Sequence, residues 1–224
     1  MRRYWSLAIA AAIASALAGL PLATSAASGG VLVVGGAEGT SVNPGDTLTG
    51  SLTGSATFFN STSGSTGIVC TSSSAGATDS TNPAEPGTAT ESLTSQSFDP
   101  ASCTINVAGT RSVRSITVDN LPYAASIADN NDVSPAAVSL SARSGPIQTT
   151  VVVVTIFGAI TCVYQPSGGS ISGTAPLDSS AGITFKNVQF GKTSGPGLCP
   201  GTSFFSATYA FVDASQSGQA VFTS

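Results

Sequence analysis

The side chains of this sequence that could perform acid–base chemistry are its carboxylates, because the chain contains no histidine. Two facing carboxylates could serve as a general acid and a general base. Without histidine, the Ser-His-Asp and Cys-His nucleophile pairs are excluded. Most of the acids fall in predicted turns or low-complexity stretches, where Asp commonly caps turns. We therefore expect no catalytic residue and no enzymatic activity. The acids are Glu38, Asp46, Asp79, Glu85, Glu91, Asp99, Asp119, Asp129, Asp132, Asp178 and Asp213.

A calcium site is the one metal site that the sequence suggests. Residues 129–132 read Asp-Asn-Asn-Asp, and Asp129, Asn131 and Asp132 are the candidate ligands. Calcium prefers such oxygen ligands, but the alternate spacing and terminal glutamate of an EF-hand loop are absent. An Asx-rich turn explains the same residues. We favour the turn and expect neither a metal nor a cofactor.

Four cysteines form an even set, which is typical of structural disulfides in an oxidising compartment. No C-x-x-C spacing indicates zinc. Three pairings are possible. We favour neighbours along the chain, Cys70 with Cys103 and Cys162 with Cys199, because the two loops would then be of similar length.

The charge of the chain excludes nucleic acid as a partner. The formal net charge is −4, from 7 basic and 11 acidic residues. A phosphate-binding surface needs clustered lysine and arginine. Arg111 and Arg114 fall on opposite faces of one predicted strand and do not form an anion site. The basic residues beyond position 28 are Arg111, Arg114, Arg143, Lys186 and Lys192.

The N-terminal residues 1–27 have the layout of a secretory signal peptide. Arg2 and Arg3 precede an uncharged apolar run of about 16 residues, which is shorter than the roughly 20 residues of a membrane span. Small residues follow, and we expect cleavage after Ala26 or Ala27. Export by the general or the twin-arginine route stays open. We expect the mature chain to be secreted, with no membrane span and no hydrophobic anchor at its C-terminus.

The mature chain shows the pattern of an all-β protein. Short apolar and β-branched runs recur between clusters of Gly, Ser, Pro and Asp, as in sandwiches of many short strands. We predict one antiparallel, Greek-key-like β-sandwich domain over 28–224, stapled by two disulfides. Two pseudo-repeated halves are the alternative. The predicted strands are 31–34, 47–52, 56–59, 67–70, 102–107, 113–118, 137–141, 151–157, 160–164, 183–190, 204–212 and 220–222.

Three segments carry more detailed predictions. The run 151–154 is apolar at both parities, so we expect both of its faces to be covered. Gly158-Ala159 could form a two-residue turn or a bulge in one long strand. The apolar residues of 183–190 change parity at Lys186-Asn187, which predicts a β-bulge. In contrast, residues 60–97 are rich in Ser, Thr and Gly, and we predict a long polar surface excursion there.

The export signal, the histidine-free Ser/Thr/Gly-rich β pattern and the paired cysteines together resemble small secreted actinomycete proteins. Their best-known β-sandwiches are the apoproteins of enediyne antibiotics. The predicted disulfide loops of this chain are longer than theirs, so the resemblance implies a fold type and transfers no functional residue.

The sequence favours a secreted, monomeric, non-enzymatic protein that binds an extracellular ligand or a surface component. A structural or self-assembling component of a cell envelope or spore surface is the first alternative. A secreted hydrolase or enzyme inhibitor is the second. The binding interpretation predicts an apolar pocket, the structural one predicts exposed strand edges, and the enzyme interpretation predicts two carboxylates in one cleft.

Overall fold

The computed structural model describes residues 29–129, 134–177 and 182–224. The predicted signal peptide, 1–27, lies outside the described residues. Within them the fold is built of β-strands, with one short 3₁₀ helix at Pro100–Ser102. No helix of the described residues is long and apolar enough to cross a membrane. The strands are β1 (Leu32–Val34), β2 (Thr40–Ser41), β3 (Thr47–Phe59), β4 (Gly67–Cys70), β5 (Ser73–Thr81), β6 (Gly87–Phe98), β7 (Cys103–Ile105), β8 (Thr110–Asp119), β9 (Tyr123–Asp129), β10 (Ala136–Ser141), β11 (Gln148–Thr155), β12 (Gly158–Pro166), β13 (Ile171–Ala175), β14 (Ile183–Ser194), β15 (Thr202–Asp213) and β16 (Gln219–Thr223).

These strands form one continuous antiparallel network that closes on itself. The pairings run from β3 through β5, β6, β9, β10, β13, β14 and β15, and β15 pairs with β3 again. Each strand of this ring therefore has a hydrogen-bonded neighbour on both sides. The predicted all-β antiparallel fold is confirmed. The finer prediction, a sandwich of two sheets, is not confirmed, because the pairings describe a single 16-stranded network.

The predicted polar excursion over 60–97 is wrong for most of its length. Besides β4, which coincides with the predicted strand 67–70, it contains β5 and most of β6, and these two strands pair with each other. Along β5 the side chains of Ser73, Ala75, Ala77 and Asp79 are buried, while those between them are more exposed. Small alanines mark the inner face here instead of large apolar residues, and threonine suits a pleated, half-buried surface. The composition of this segment is therefore polar, although alternate residues of its strands form part of the core.

The hairpin of β11 and β12 differs from both of its predicted forms. Thr155 is the Cα partner of Gly158, so the two-residue turn is Ile156-Phe157, two residues earlier than Gly158-Ala159. Phe157 is 86% exposed at this turn. In the run 151–154, Val151 and Val153 are buried, whereas Val152 and Val154 are only half-buried. The expectation of two covered faces is thus met on one face only.

The predicted bulge in β14 is confirmed. The register of β14 against β15 shifts between Phe185 and Val188, and Asn187 takes the left-handed backbone conformation with φ 52°. The shift brings Phe190 onto the buried side together with Phe185. The extra residue in the bulge thus allows apolar residues on both sides of the parity change to face the same side of the sheet.

The two disulfides join the predicted partners, Cys70 with Cys103 and Cys162 with Cys199. The first links paired residues of β4 and β7. The second ties β12 to the loop that precedes β15. Two disulfides and no free cysteine are typical of a protein in an oxidising, extracellular environment.

Candidate functional site

An apolar cavity of about 90 Å³ lies inside the closed ring of strands. All eight strands of the ring contribute side chains to its wall. A second cavity of about 60 Å³ adjoins it and shares Leu93, Leu140, Phe185 and other wall residues. Representative residues of the first wall are Leu48, Ala77, Leu93, Ile127, Val138 and Phe185.

The open volume follows from the small side chains of the inner face. Ala75 and Ala77 of β5, Ala125 of β9 and Ala175 of β13 all border the cavity. Native cores are close-packed, and voids larger than a water molecule are few. Alanines on three strands of the wall therefore leave space that leucine or phenylalanine would fill.

One acidic side chain interrupts this apolar wall. Glu91 of β6 lines the cavity and is 3% exposed. Neither of its carboxylate oxygens has a hydrogen-bond partner. Its Cα partners are Asp79 on β5 and Ala125 on β9, so its strand neighbours supply no cation. A buried polar group without a partner is costly, and a native protein that keeps one needs a reason for it.

Burial controls the ionisation of this carboxyl. Loss of solvation, reinforced by the nearby Asp79, raises the pKa of Glu91 to about 8. Asp79 is also buried and without a hydrogen-bond partner. Burial, and then the charges of Asp46 and Asp213, raise the pKa of Asp79 to about 6. At pH 7 Glu91 therefore holds its proton, whereas most of Asp79 is ionised.

Asp46 and Asp213 extend this acidic end, but each has ordinary structural contacts. Asp213 accepts hydrogen bonds from the backbone N–H groups of Ser215 (2.8 Å) and Gln216 (3.1 Å). Asp46 accepts one from the backbone N–H of Asn43 at 2.8 Å. The Gln216 Nε2 donates to both carboxylates at 3.1 Å. These two acids thus cap turns, as the sequence suggested, and their charge still acts on Asp79.

Gln96, a second polar side chain of the cavity wall, has hydrogen-bond partners. Gln96 Nε2 donates to the Tyr209 hydroxyl at 2.9 Å and to Ser73 Oγ at 2.8 Å. Ser73 Oγ and the Tyr209 hydroxyl also lie 2.8 Å apart. Burial raises the pKa of Tyr209, so the phenol stays neutral. This triad bridges β5, β6 and β15. Its hydrogen bonds give these polar atoms partners, whereas the carboxylate oxygens of Glu91 have none.

We expect Tyr209→Phe to lower the free energy of unfolding by about 1–2 kcal/mol, because it leaves Gln96 and Ser73 without a shared buried partner. Urea unfolding measures this change. Tyr164→Phe is the matched control, since the Tyr164 hydroxyl donates only to the backbone oxygen of Pro200. Equal losses in the two variants would contradict a network role for Tyr209.

The structure corrects the placement of several acids. Asp79, Glu91 and Asp129 lie in strands and are buried, whereas the sequence predicted turns and solvated loops. Of the calcium candidates, Asp129 ends β9 with a buried side chain, and Asn131 and Asp132 lie outside the described residues. Among the residues that the structure describes, no group of three or more acidic or cysteine side chains is arranged to hold a metal ion.

Parity along the strand was the available signal for Glu91. It stands two residues after Ala89 and two before Leu93, both of which are buried. That alternation places an acid on the apolar face of β6. The burial of Glu91 was not predicted because the high Ser/Thr content of the segment indicated a polar surface loop.

Comparison of the chain with models of protein families, with curated proteins and with solved structures found no match. The resemblance to secreted actinomycete β-proteins therefore stays a prediction.

Proposed function

We propose that this is a secreted, non-enzymatic binding protein that holds a small apolar molecule inside its ring of strands. The observation that carries the proposal is the apolar cavity with one unpartnered carboxyl in its wall. Binding sites for small molecules are typically concave and mostly apolar, with few polar groups that orient the ligand. Glu91 supplies such a group.

Binding has more support than catalysis at this site. Glycoside hydrolysis, the acid–base chemistry open to a histidine-free chain, needs two carboxylates facing one substrate. Among the described residues Glu91 is the only carboxylate that lines the cavity. Asp79 is adjacent on β5 but does not border the space.

Self-assembly through strand edges has less support. Each strand of the ring is paired on both sides, and among the described strands the open edges lie at the short strands β2 and β7, which offer few backbone groups to another chain. Secretion rests on the predicted signal peptide and on the two disulfides, which suit an oxidising compartment. We propose that the secreted form is a monomer that begins at Ala27 or Ser28.

Native mass spectrometry of the protein recovered from the medium of its producing cells tests this function. We expect the intact mass of a chain cleaved after Ala26 or Ala27, plus a small molecule that is lost under denaturing conditions. Ala77→Leu adds three carbon atoms at the cavity wall and should abolish the extra mass. Ala137→Leu, at an exposed position of β10, should retain it.

Two results would count against the proposal. One is an identical mass under native and denaturing conditions. The other is an adduct that survives Ala77→Leu in a folded protein, because that adduct would lie elsewhere.

A further inference from the structure

We infer that the ligand of the cavity is an organic cation with an apolar body, whose ammonium group pairs with the carboxylate of Glu91. This inference rests on the proposed function and names the chemical class of its ligand. It follows from three features of the site: the unpartnered oxygens of Glu91, the sign of the surrounding charge, and the apolar remainder of the wall.

The first feature is the unmet hydrogen-bonding capacity of Glu91. An ionised carboxylate accepts hydrogen bonds at two oxygens, and both oxygens of Glu91 are buried without a donor. An ammonium group has three N–H donors and no acceptor, so it complements a carboxylate completely. Charge-assisted hydrogen bonds of this kind are about twice as strong as neutral ones.

The second feature is the uncompensated negative charge at this end of the cavity. Asp79 is the neighbour of Glu91 on β5, and Asp46 and Asp213 act on Asp79 in turn. On the other side β9 contributes the apolar Ala125. The remaining polar residues of the wall include Gln96 and Tyr209, which are uncharged at neutral pH. A carboxylate ligand such as a fatty acid would be repelled here, whereas a cation is attracted.

The third feature is the size and polarity of the remaining space. A volume of about 90 Å³ is several times what one ordered water molecule needs. The adjoining cavity of about 60 Å³ continues it along the same wall. The space therefore suits a short alkyl chain or a single ring attached to the amine.

Below about pH 8, ligand binding at this site releases up to one proton. The protonated carboxyl of Glu91 loses its proton to solvent as the ammonium group enters, and the ion pair replaces a neutral acid. Because the pKa of Glu91 is about 8, the proton competes with the amine at lower pH. From pH 8 to pH 6 the ionised fraction of Glu91 falls about 50-fold, and the affinity for the amine falls with it.

Three probes with one carbon skeleton test the inference on the mature protein: hexylamine, hexanol and hexanoate. Cyclohexylamine and cyclohexanol repeat the comparison for a ring. Calorimetry and the NMR shifts of the Leu93, Ile127 and Val138 methyl groups report affinity and location. We expect each amine to bind at least tenfold more tightly than its alcohol at pH 8. The amine affinity should fall about 50-fold at pH 6, and that of the alcohol should stay constant.

Glu91→Gln should remove the preference of the cavity for amines while leaving alcohol binding intact. Glu38→Gln removes the same charge at an exposed position and should change nothing. Equal affinities for amine and alcohol, or a preference for hexanoate, would overturn the ligand class and leave the proposed binding function standing. If no probe shifts the cavity methyl groups, both the ligand class and the proposed function are contradicted.

Discussion

We expect Glu91→Gln to raise the free energy of unfolding at pH 7 by about 3 kcal/mol. The pKa of Glu91 is about 8 in the folded protein, against an ordinary value of 4.5. Between these two pH values the folded state holds a proton that the unfolded state releases, so the stability of the unmodified protein declines as the pH rises. Glutamine has the same shape and never ionises, and therefore escapes this loss.

The pH dependence separates this effect from a change in packing. Below pH 4.5 Glu91 is protonated in both states, so the stability difference between the variant and the unmodified protein should vanish. It should grow between pH 4.5 and 8 and then level off. Asp79, whose raised pKa is about 6, adds a decline of the same sign at lower pH in both proteins.

Urea unfolding at intervals from pH 4 to pH 9 measures this pH dependence, with Glu38→Gln as the matched surface control. Parallel pH profiles of Glu91→Gln and the unmodified protein would show that Glu91 ionises freely in the folded state. A residue that costs stability in its own fold is common at functional sites, where activity and stability conflict. A measured gain of this size would therefore support a ligand-binding role for Glu91.

We expect Val153→Asp to cost more than about 4 kcal/mol and to stop the accumulation of folded protein. Val153 is 5% exposed at the centre of β11, where its Cα partners are Val113 and Ile160. A charge at this position would be buried in an apolar layer without a partner. The yield of folded protein in the medium and its urea midpoint measure the effect.

Val152→Asp is the matched control, one residue along the same strand. Val152 is half-buried on the opposite face, so its new carboxylate can reach water. We expect folded protein with a loss well below that of the Val153 variant. Equal tolerance at both positions would mean that the interior face of β11 is wet.

Much of the fold was predictable because its signals are local. The parity change near Lys186 indicated a bulge, and β14 contains it between Phe185 and Val188. The even number of cysteines and their spacing predicted the two disulfides. In the run 151–154 the apolar residues exceeded what one buried face requires, which is why the sequence suggested two covered faces.

The interior of the ring was not predictable, because long-range pairing and small side chains create it. The ring closes through pairings such as that of β6 with β9. Local sequence patterns do not indicate which strands pair with each other. Ala75 and Ala77 carry too little hydrophobicity to reveal β5 as a core strand. Glu91 was visible only as one acid in a Ser/Thr-rich tract, and its role depends on the cavity that these alanines leave open.

The most direct test of the account is the titration of the Glu91 side-chain carboxyl, followed by carbon NMR in the ligand-free protein. The spectrum of Glu91→Gln assigns the signal. We predict a midpoint near pH 8, because the carboxyl is buried beside Asp79 without a hydrogen-bond donor. A midpoint near the ordinary value of 4.5 would show a solvated or paired carboxylate and would contradict the proposed binding site.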